Sequence, residues 1–129
     1  MIVLNKLHHS DEQWRALANE PDDGPVFMIN LFKFRDRAEY ADGRDTELSG
    51  IEAYQIYGSA TSEHIAAIGG KVLHSSVIAG MVVGEVENLW DACAIVEYPS
   101  IKAFMRMVDS DEWGQHAVHR EAGLEGQLN

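Results

Sequence analysis

Hydrophobic and polar residues alternate along this chain with two different periods. Trp14, Leu17 and Ala18 make a narrow stripe at helical spacing, and Ser10 with Gln13 three residues on forms a capping-box pattern. A short helix is therefore expected at about residues 10–19, as an accessory layer outside the core. Residues 20–25 break it with two prolines and a glycine. The next run, Val26 to Phe34, is rich in β-branched and aromatic residues and reads as a strand. One parity carries Val26, Met28, Asn30, Phe32 and Phe34, and the other carries Phe27, Ile29, Leu31 and Lys33. A strand with one wet face would alternate apolar with polar. This strand is apolar on both sides, so each face needs a cover.

Arg35 to Gly50 is long and polar, the kind of connection that serves as a functional loop or stays disordered. Ser49 and Glu52 then form a second capping box. The helix that follows carries the stripe Ile51, Tyr54, Gly58, Thr61, Ile65, Ile68, flanked by Tyr57, Ala60 and His64, and ends at Gly69-Gly70. Lys71 to Val83 reads as a long strand, bent or bulged near Gly80. A turn at residues 84–88 leads to a strand over residues 91–98. Pro99-Ser100 starts a helix with the stripe Ile101, Phe104, Met105 and Val108. The run Asp109-Ser-Asp-Glu112 interrupts it and caps a last helical segment that presents Trp113, His116, Ala117 and Arg120 on one side. Gly123 ends that segment, and residues 124–128 read as a closing strand.

The order helix-β-α-β-β-α-β is that of an α+β, ferredoxin-like unit with an antiparallel sheet and an N-terminal accessory helix. It forms a single domain over residues 1–129, with its core from about residue 25. Both core helices of such a unit cover one face of the sheet. The doubly apolar first strand therefore points to a homodimer, with a second subunit packed sheet to sheet on the other face.

Composition changes this picture little. At 129 residues with 46% apolar and 24% charged residues, the chain suits one globular domain. The net charge of −11 argues against nucleic acid and anionic membrane surfaces as partners. Most of the acids fall in proposed caps, turns and loops, so the charge describes a solvated rim. The single cysteine, Cys93, excludes an internal disulfide framework and reads as a small buried apolar residue. No apolar run approaches a membrane span and the first residues lack a signal-peptide pattern, so a cytoplasmic protein is expected.

Several segments resemble a bacterial domain-of-unknown-function family, numbered 1330. They are Met28-Ile-Asn-Leu-Phe-Lys-Phe34, residues 49–58, residues 69–73, Val96-Glu-Tyr-Pro-Ser100 and residues 119–124. The resemblance runs from about Pro25 to Leu124 and implies the dimeric α+β barrel superfamily, with no assigned activity. Relatives in that wider superfamily include cofactor-independent monooxygenases, haem-degrading oxygenases and lactone isomerases. Certain haem-degrading members use an Asn, a Trp and a His together, which this chain offers as Asn30, Trp90 and His116. A shared fold is a weak warrant for shared chemistry.

Candidate site residues follow from polarity out of place. Asn30 is an amide in an apolar strand and needs partners, either from a neighbouring loop or from a ligand. Tyr54, Tyr57 and His64 lie on or beside the sheet-facing stripe, and Gly58 among them implies close approach, with helix packing the expected cause. His74 is a candidate acid or base, or a cross-dimer hydrogen bonder. Arg120 either neutralises a substrate carboxylate or pairs with Glu97 or Asp91, the pairing being favoured. Glu112, His116 and His119 share a helical face, but they lack a metal signature and a fourth ligand, and no metal is expected. His8 and His9 read as surface residues. No phosphate loop, nucleophile elbow or paired catalytic carboxylates occur, so no cofactor is expected.

The expectation is a pocket between helices and sheet, lined by Asn30, Tyr54, Tyr57, His74, Trp90, His116 and Arg120, that binds a small, fairly apolar molecule. As an enzyme it would carry out cofactor-independent oxygenation or isomerisation, with Asn30, His74 and His116 as the catalytic polar groups. The competing class is a non-catalytic ligand-binding or stress-associated dimeric module.

Overall fold

Reciprocal hydrogen bonds fix where the first two helices begin. In the computed structural model, which describes residues 2–129, the Gln13 backbone N–H donates to Ser10 Oγ at 3.1 Å and the Ser10 N–H donates to Gln13 Oε1 at 2.9 Å. Helix α1 runs Asp11–Asn19 from that cap. Ser49 and Glu52 repeat the arrangement at 3.1 and 2.7 Å, and open α2, Gly50–Ala67. At the far end of α2, Gly69 takes a φ of +84° and a Schellman pair closes the helix. The Gly70 N–H donates to the Ile65 carbonyl at 2.8 Å and the Gly69 N–H to the Ala66 carbonyl at 3.1 Å.

Strand β1 spans Val26–Phe34, as the pattern predicts. After α2 come β2, Lys71–Val77, and β3, Ala92–Tyr98. Helices α3, Ile101–Val108, and α4, Asp111–Gly123, are capped by Ser100 and Ser110. Strand β4, Leu124–Leu128, follows α4 directly. The sheet is antiparallel with order β2-β3-β1-β4, the ferredoxin-like topology, and all helices other than the accessory α1 belong to the layer on one face.

The predicted long strand over 71–83 is shorter than expected. It stops at Val77, and its bulge lies between Val72 and His74, not near Gly80. Val72 pairs with Val96, but His74 pairs with Ile95. The extra residue shifts parity, so His74 shares a face with Ile95 and with Ile29, which pairs with Ile95 across β1. That face carries no helix. Phe27 is 51% exposed there and Ile29 61% exposed.

The helix layer is built on backbone contact. A Cβ at Gly50 would collide with the Arg35 and Gly123 carbonyls, and one at Gly123 would collide with the Gly50 carbonyl and the Tyr54 amide. Two glycines thus let α2 and the end of α4 meet without side chains between them. Gly58 was expected to serve a similar close approach and does not, because a Cβ there meets nothing within 4 Å. Two other expected stripe residues lie off the buried face. Ile51 is half exposed, and on α3 Met107 is buried in place of Met105.

The 35–50 connection is an ordered strap. Ala38 and Tyr40 are buried and form a small core with Ala53 and Ala122, joined by Leu48. The Tyr40 hydroxyl and His119 Nδ1 share a hydrogen bond of 2.7 Å, while Arg44, gripped by Asp42, lies 4.4 Å over the Tyr40 ring. A second core cluster gathers Ile65, Val96, Tyr98 and Met107 with Val26, Met28, Phe104 and Trp113.

Gly123→Ala is expected to destabilise the fold by about 3 kcal/mol through backbone overlap, and Gly58→Ala to stabilise it by up to about 1 kcal/mol. Thermal unfolding of both variants checks this, and a neutral Gly123→Ala would mean that α2 and α4 can part freely.

The strap also carries a pH dependence. Burial chiefly, then the charges of Arg44 and His116, hold the His119 pKa below its ordinary value of 6.5. The unfolded chain takes up this proton more readily than the fold does. The contribution is therefore complete above pH 6.5 and is lost as pH falls from there toward the lower folded value. Scanning calorimetry should show Tm dropping below pH 6.5 more steeply in the native protein than in His119→Gln; parallel curves would remove His119 from the account.

Candidate functional site

The helix-facing parity of β1 lays Met28, Asn30, Phe32 and Phe34 along the floor of a wide cavity of about 2340 Å³. Small-molecule sites commonly occupy roughly 300–1,000 Å³, so this space is large and open at its mouth. Helix α2 supplies Tyr54, Tyr57, Thr61 and Ile65 to the opposite wall, and α4 supplies Trp113 and Arg120. The N-terminal arm and α1 border the mouth with Leu4, Leu7, His8 and Trp14.

Aromatic rings run through this space in sequence. Tyr54 stands 5.0 Å from Phe32, 5.3 Å from Phe34 and 5.3 Å from Tyr57, ring centre to ring centre. Tyr57 in turn meets Trp113 edge-on at 6.0 Å. Such tilted contacts are the favoured geometry of aromatic pairs. Burial pushes the Tyr54 hydroxyl far above the ordinary tyrosine range, with Tyr57 adding to the shift and Arg120 opposing it. Tyr54 is therefore a neutral donor at physiological pH.

Arg120 does not pair as expected. Asp91 binds Lys33 Nζ at 3.1 Å and accepts from the Phe34 N–H at 2.9 Å, and Glu97 lies 3.7 Å from Lys71. Among the described residues no carboxylate lies within ion-pair distance of Arg120, and its guanidinium makes no hydrogen bond to the protein. A half-buried cation thus faces an aromatic cavity without a counter-ion. Two further polar atoms of cavity-lining residues, Thr61 Oγ1 and Trp113 Nε1, are buried without any partner.

Asn30 is buried and lines the cavity, and its amide reaches the Met28 and Ala94 carbonyls only at 3.3 and 3.5 Å. Both bonds are long for N–H···O. Its carbonyl oxygen accepts nothing from the described residues. Trp90 lines the cavity too, with Nε1 donating to Asn5 Oδ1 at 2.8 Å, which ties the N-terminal arm down.

The cavity therefore brings together Asn30, Tyr54, Tyr57, Trp90 and Arg120. It does not include His74 or His116. The bulge turns His74 to the bare face of the sheet, where its Nε2 lies 2.9 Å from Ser76 Oγ. His116 lies in the outer seam between α2 and α4, its ring 5.4 Å from that of His64. The Asn30, Trp90 and His116 trio is thus not assembled. Among the described residues no group of three His, Cys, Asp or Glu side chains is placed to hold a metal. Thr61, Trp113, Phe32 and the N-terminal arm belong to the cavity although pattern alone had not marked them as ligand contacts. The presence of Thr61 and Trp113 on inward stripes was the available signal.

In chemical terms the site is an apolar, aromatic enclosure with one cation, Arg120, and the Asn30 amide among its lining residues. It can hold and orient an anionic, flat organic molecule. It offers no imidazole base beside the floor of the cavity. No helix among the described residues is long and apolar enough to cross a membrane.

Residues 44–129 match the family model described as Domain of unknown function (DUF1330). A crystal structure of RPA0582, a protein of unknown function from Rhodopseudomonas palustris, is similar with a TM-score of 0.83 at 31% identity, covering 97% of this chain and 93% of that one. A structure of methylated RPA0582 gives a TM-score of 0.85 at 34% identity, covering 96% and 90%. No curated protein matches the chain. The family match over residues 44–129 and the overlap with RPA0582 along nearly the whole fold show that this chain belongs to the DUF1330 family.

Proposed function

We propose that the protein is a cytoplasmic homodimer that binds a small, largely apolar organic acid between its sheet and helices. The observation that carries this reading is Arg120, a cation without a counter-ion at the wall of an aromatic cavity. A half-buried guanidinium without a counter-ion beside an apolar cavity suits a carboxylate, which it can bind in bidentate fashion. Tyr54, held neutral by burial, adds a donor to the same anion. Phe32, Phe34 and Tyr57 stack on the rest of the ligand. The position of both His74 and His116 outside the cavity favours binding over the proton-transfer chemistry that an oxygenase or isomerase reading assigned to them.

Assembly as a dimer rests on the bare sheet face. Phe27 and Ile29, exposed on a central strand beside Ile95, are too apolar to stay in water and match a sheet-to-sheet contact with a second copy. The polar His74 and Ser76 lie toward the β2 edge of that face.

Arg120→Gln is expected to weaken binding of biphenyl carboxylate about tenfold or more in calorimetric titration, with Tm changed little. Retained affinity in that variant would reject Arg120 as the anchor. Ile29→Lys is expected to convert the dimer to monomer in sedimentation analysis while leaving the circular dichroism spectrum intact, and a dimer that survives it uses another surface.

A further inference from the structure

Residues 79–83 find no partner in the chain that carries them. The ladder of β2 continues one step past Val77, where the Ile78 N–H donates to the Asp91 carbonyl at 2.9 Å. Beyond that step, among the described residues, the backbone of Ala79 to Val83 bonds to no other backbone group. The side chains are as bare. Met81 is 48% exposed, Val83 86% and Val82 100%. Ile78, Val82 and Val83 are strand formers, which is why the sequence reads as strand through Val83. The segment is thus an apolar arm with neither a ladder nor a core, and it leaves from β2, the edge strand opposite β4. Apolar, strand-forming chain at a sheet edge is a ready contact for another chain.

The distribution of charge says which chain. The protein carries a net charge of −11, so two copies repel except through surfaces that lack acids. Residues 64–84, which hold β2 and the arm, are the longest stretch without an aspartate or glutamate. Residues 24–35, which hold β1, are the next longest. On the bare face of the sheet the register sets Ile29 and Leu31 of β1 beside Ile95 and Cys93 of β3. The β3 carboxylate on that face, Glu97, lies 3.7 Å from Lys71 Nζ. Arm and bare face are therefore apolar surfaces of low charge on a strongly acidic molecule. A basic partner would find no acid there to recognise. A second copy meets no repulsion there, and it removes both surfaces from water.

We propose that residues 78–83 form a dimer arm: each copy extends it past the edge of its own sheet and buries Met81, Val82 and Val83 against a second copy of this chain. This rests on the homodimer reading and adds the segment that clasps the two copies. In a two-fold dimer both arms engage at once, so one substitution is felt twice.

Sedimentation equilibrium of the full chain tests the arm with the paired substitution Val82→Asp and Val83→Asp. Neither side chain is buried within one copy, so the circular dichroism spectrum should match that of the native protein. The dissociation constant of the dimer is expected to rise about a hundredfold or more, because two buried valines per copy are replaced by charges. The milder pair Val82→Ser and Val83→Ser should shift it about tenfold or more in the same direction, and it serves as the test if the aspartates unfold the chain. Amide exchange in residues 79–83 of the native protein should slow as concentration rises through the dissociation constant. A dissociation constant unchanged in these variants would overturn the arm and leave the bare-face dimer standing, and so would exchange in the arm that ignores concentration. A native chain that sediments as a monomer at every concentration would overturn the homodimer and the arm together. Binding to phosphatidylcholine vesicles that the aspartate pair abolishes, with the dimer intact, would make a lipid surface the partner and reject the proposal.

Discussion

The meeting of α2 and α4 through Gly50 and Gly123 is the constraint on which the rest of the structure depends. At that end no side chains lie between the two backbones, and further along Tyr57 meets Trp113 and His64 meets His116, so the two helices are held together above the sheet. Ile65 of α2, with Met107 of α3, packs on Val96 and Tyr98. The strap packs Ala38 and Tyr40 into a small core with Ala53 of α2 and Ala122 of α4. The remaining space between helix pair and sheet is the cavity. A pair of helices spaced by larger residues would settle differently on β1, and the aromatic row from Phe32 through Tyr54 to Trp113 would lose its alignment.

Features written in short-range hydrogen bonding were legible in the sequence. Ser10 with Gln13, Ser49 with Glu52 and the Gly69-Gly70 pair need only neighbours a few residues away, so α1 and both ends of α2 were readable. The double apolar parity of β1 also spoke directly, since one parity lies under the helices and the other forms the bare apolar face with Phe27 and Ile29. The bulge after Val72 left no mark, since neither glycine nor proline sits there, and it moved His74 to the opposite face. Arg120 was misread for a different reason. Its expected partners Asp91 and Glu97 are claimed by Lys33 and Lys71, and competition among charges is decided only when the strands are in register. Gly58 resembled a packing glycine in the sequence, yet the real close approaches fall at Gly50 and Gly123, whose partners lie far along the chain.

The two sides of the sheet divide its work. The side under the helices is an apolar, aromatic enclosure with the half-buried Arg120 at its wall. The other side is apolar along β1 and β3 and polar toward β2. One strand, β1, is the floor of the first environment and the centre of the second, which is why its residues are apolar on both parities and why Asn30 stands out among them.

The N-terminal arm has an effect beyond bordering the cavity. Lys6 exchanges both backbone hydrogen bonds with Gln127 at 3.0 Å, and Asn5 lies against Gly126 so closely that a Cβ there would be crowded. The outer rim of β4 is thereby occupied by the chain itself. A sheet margin with free amides and carbonyls invites strands of other molecules to continue it. Here a few residues of the same chain act as a stop on that growth, so that the sheet is finite on its β4 side.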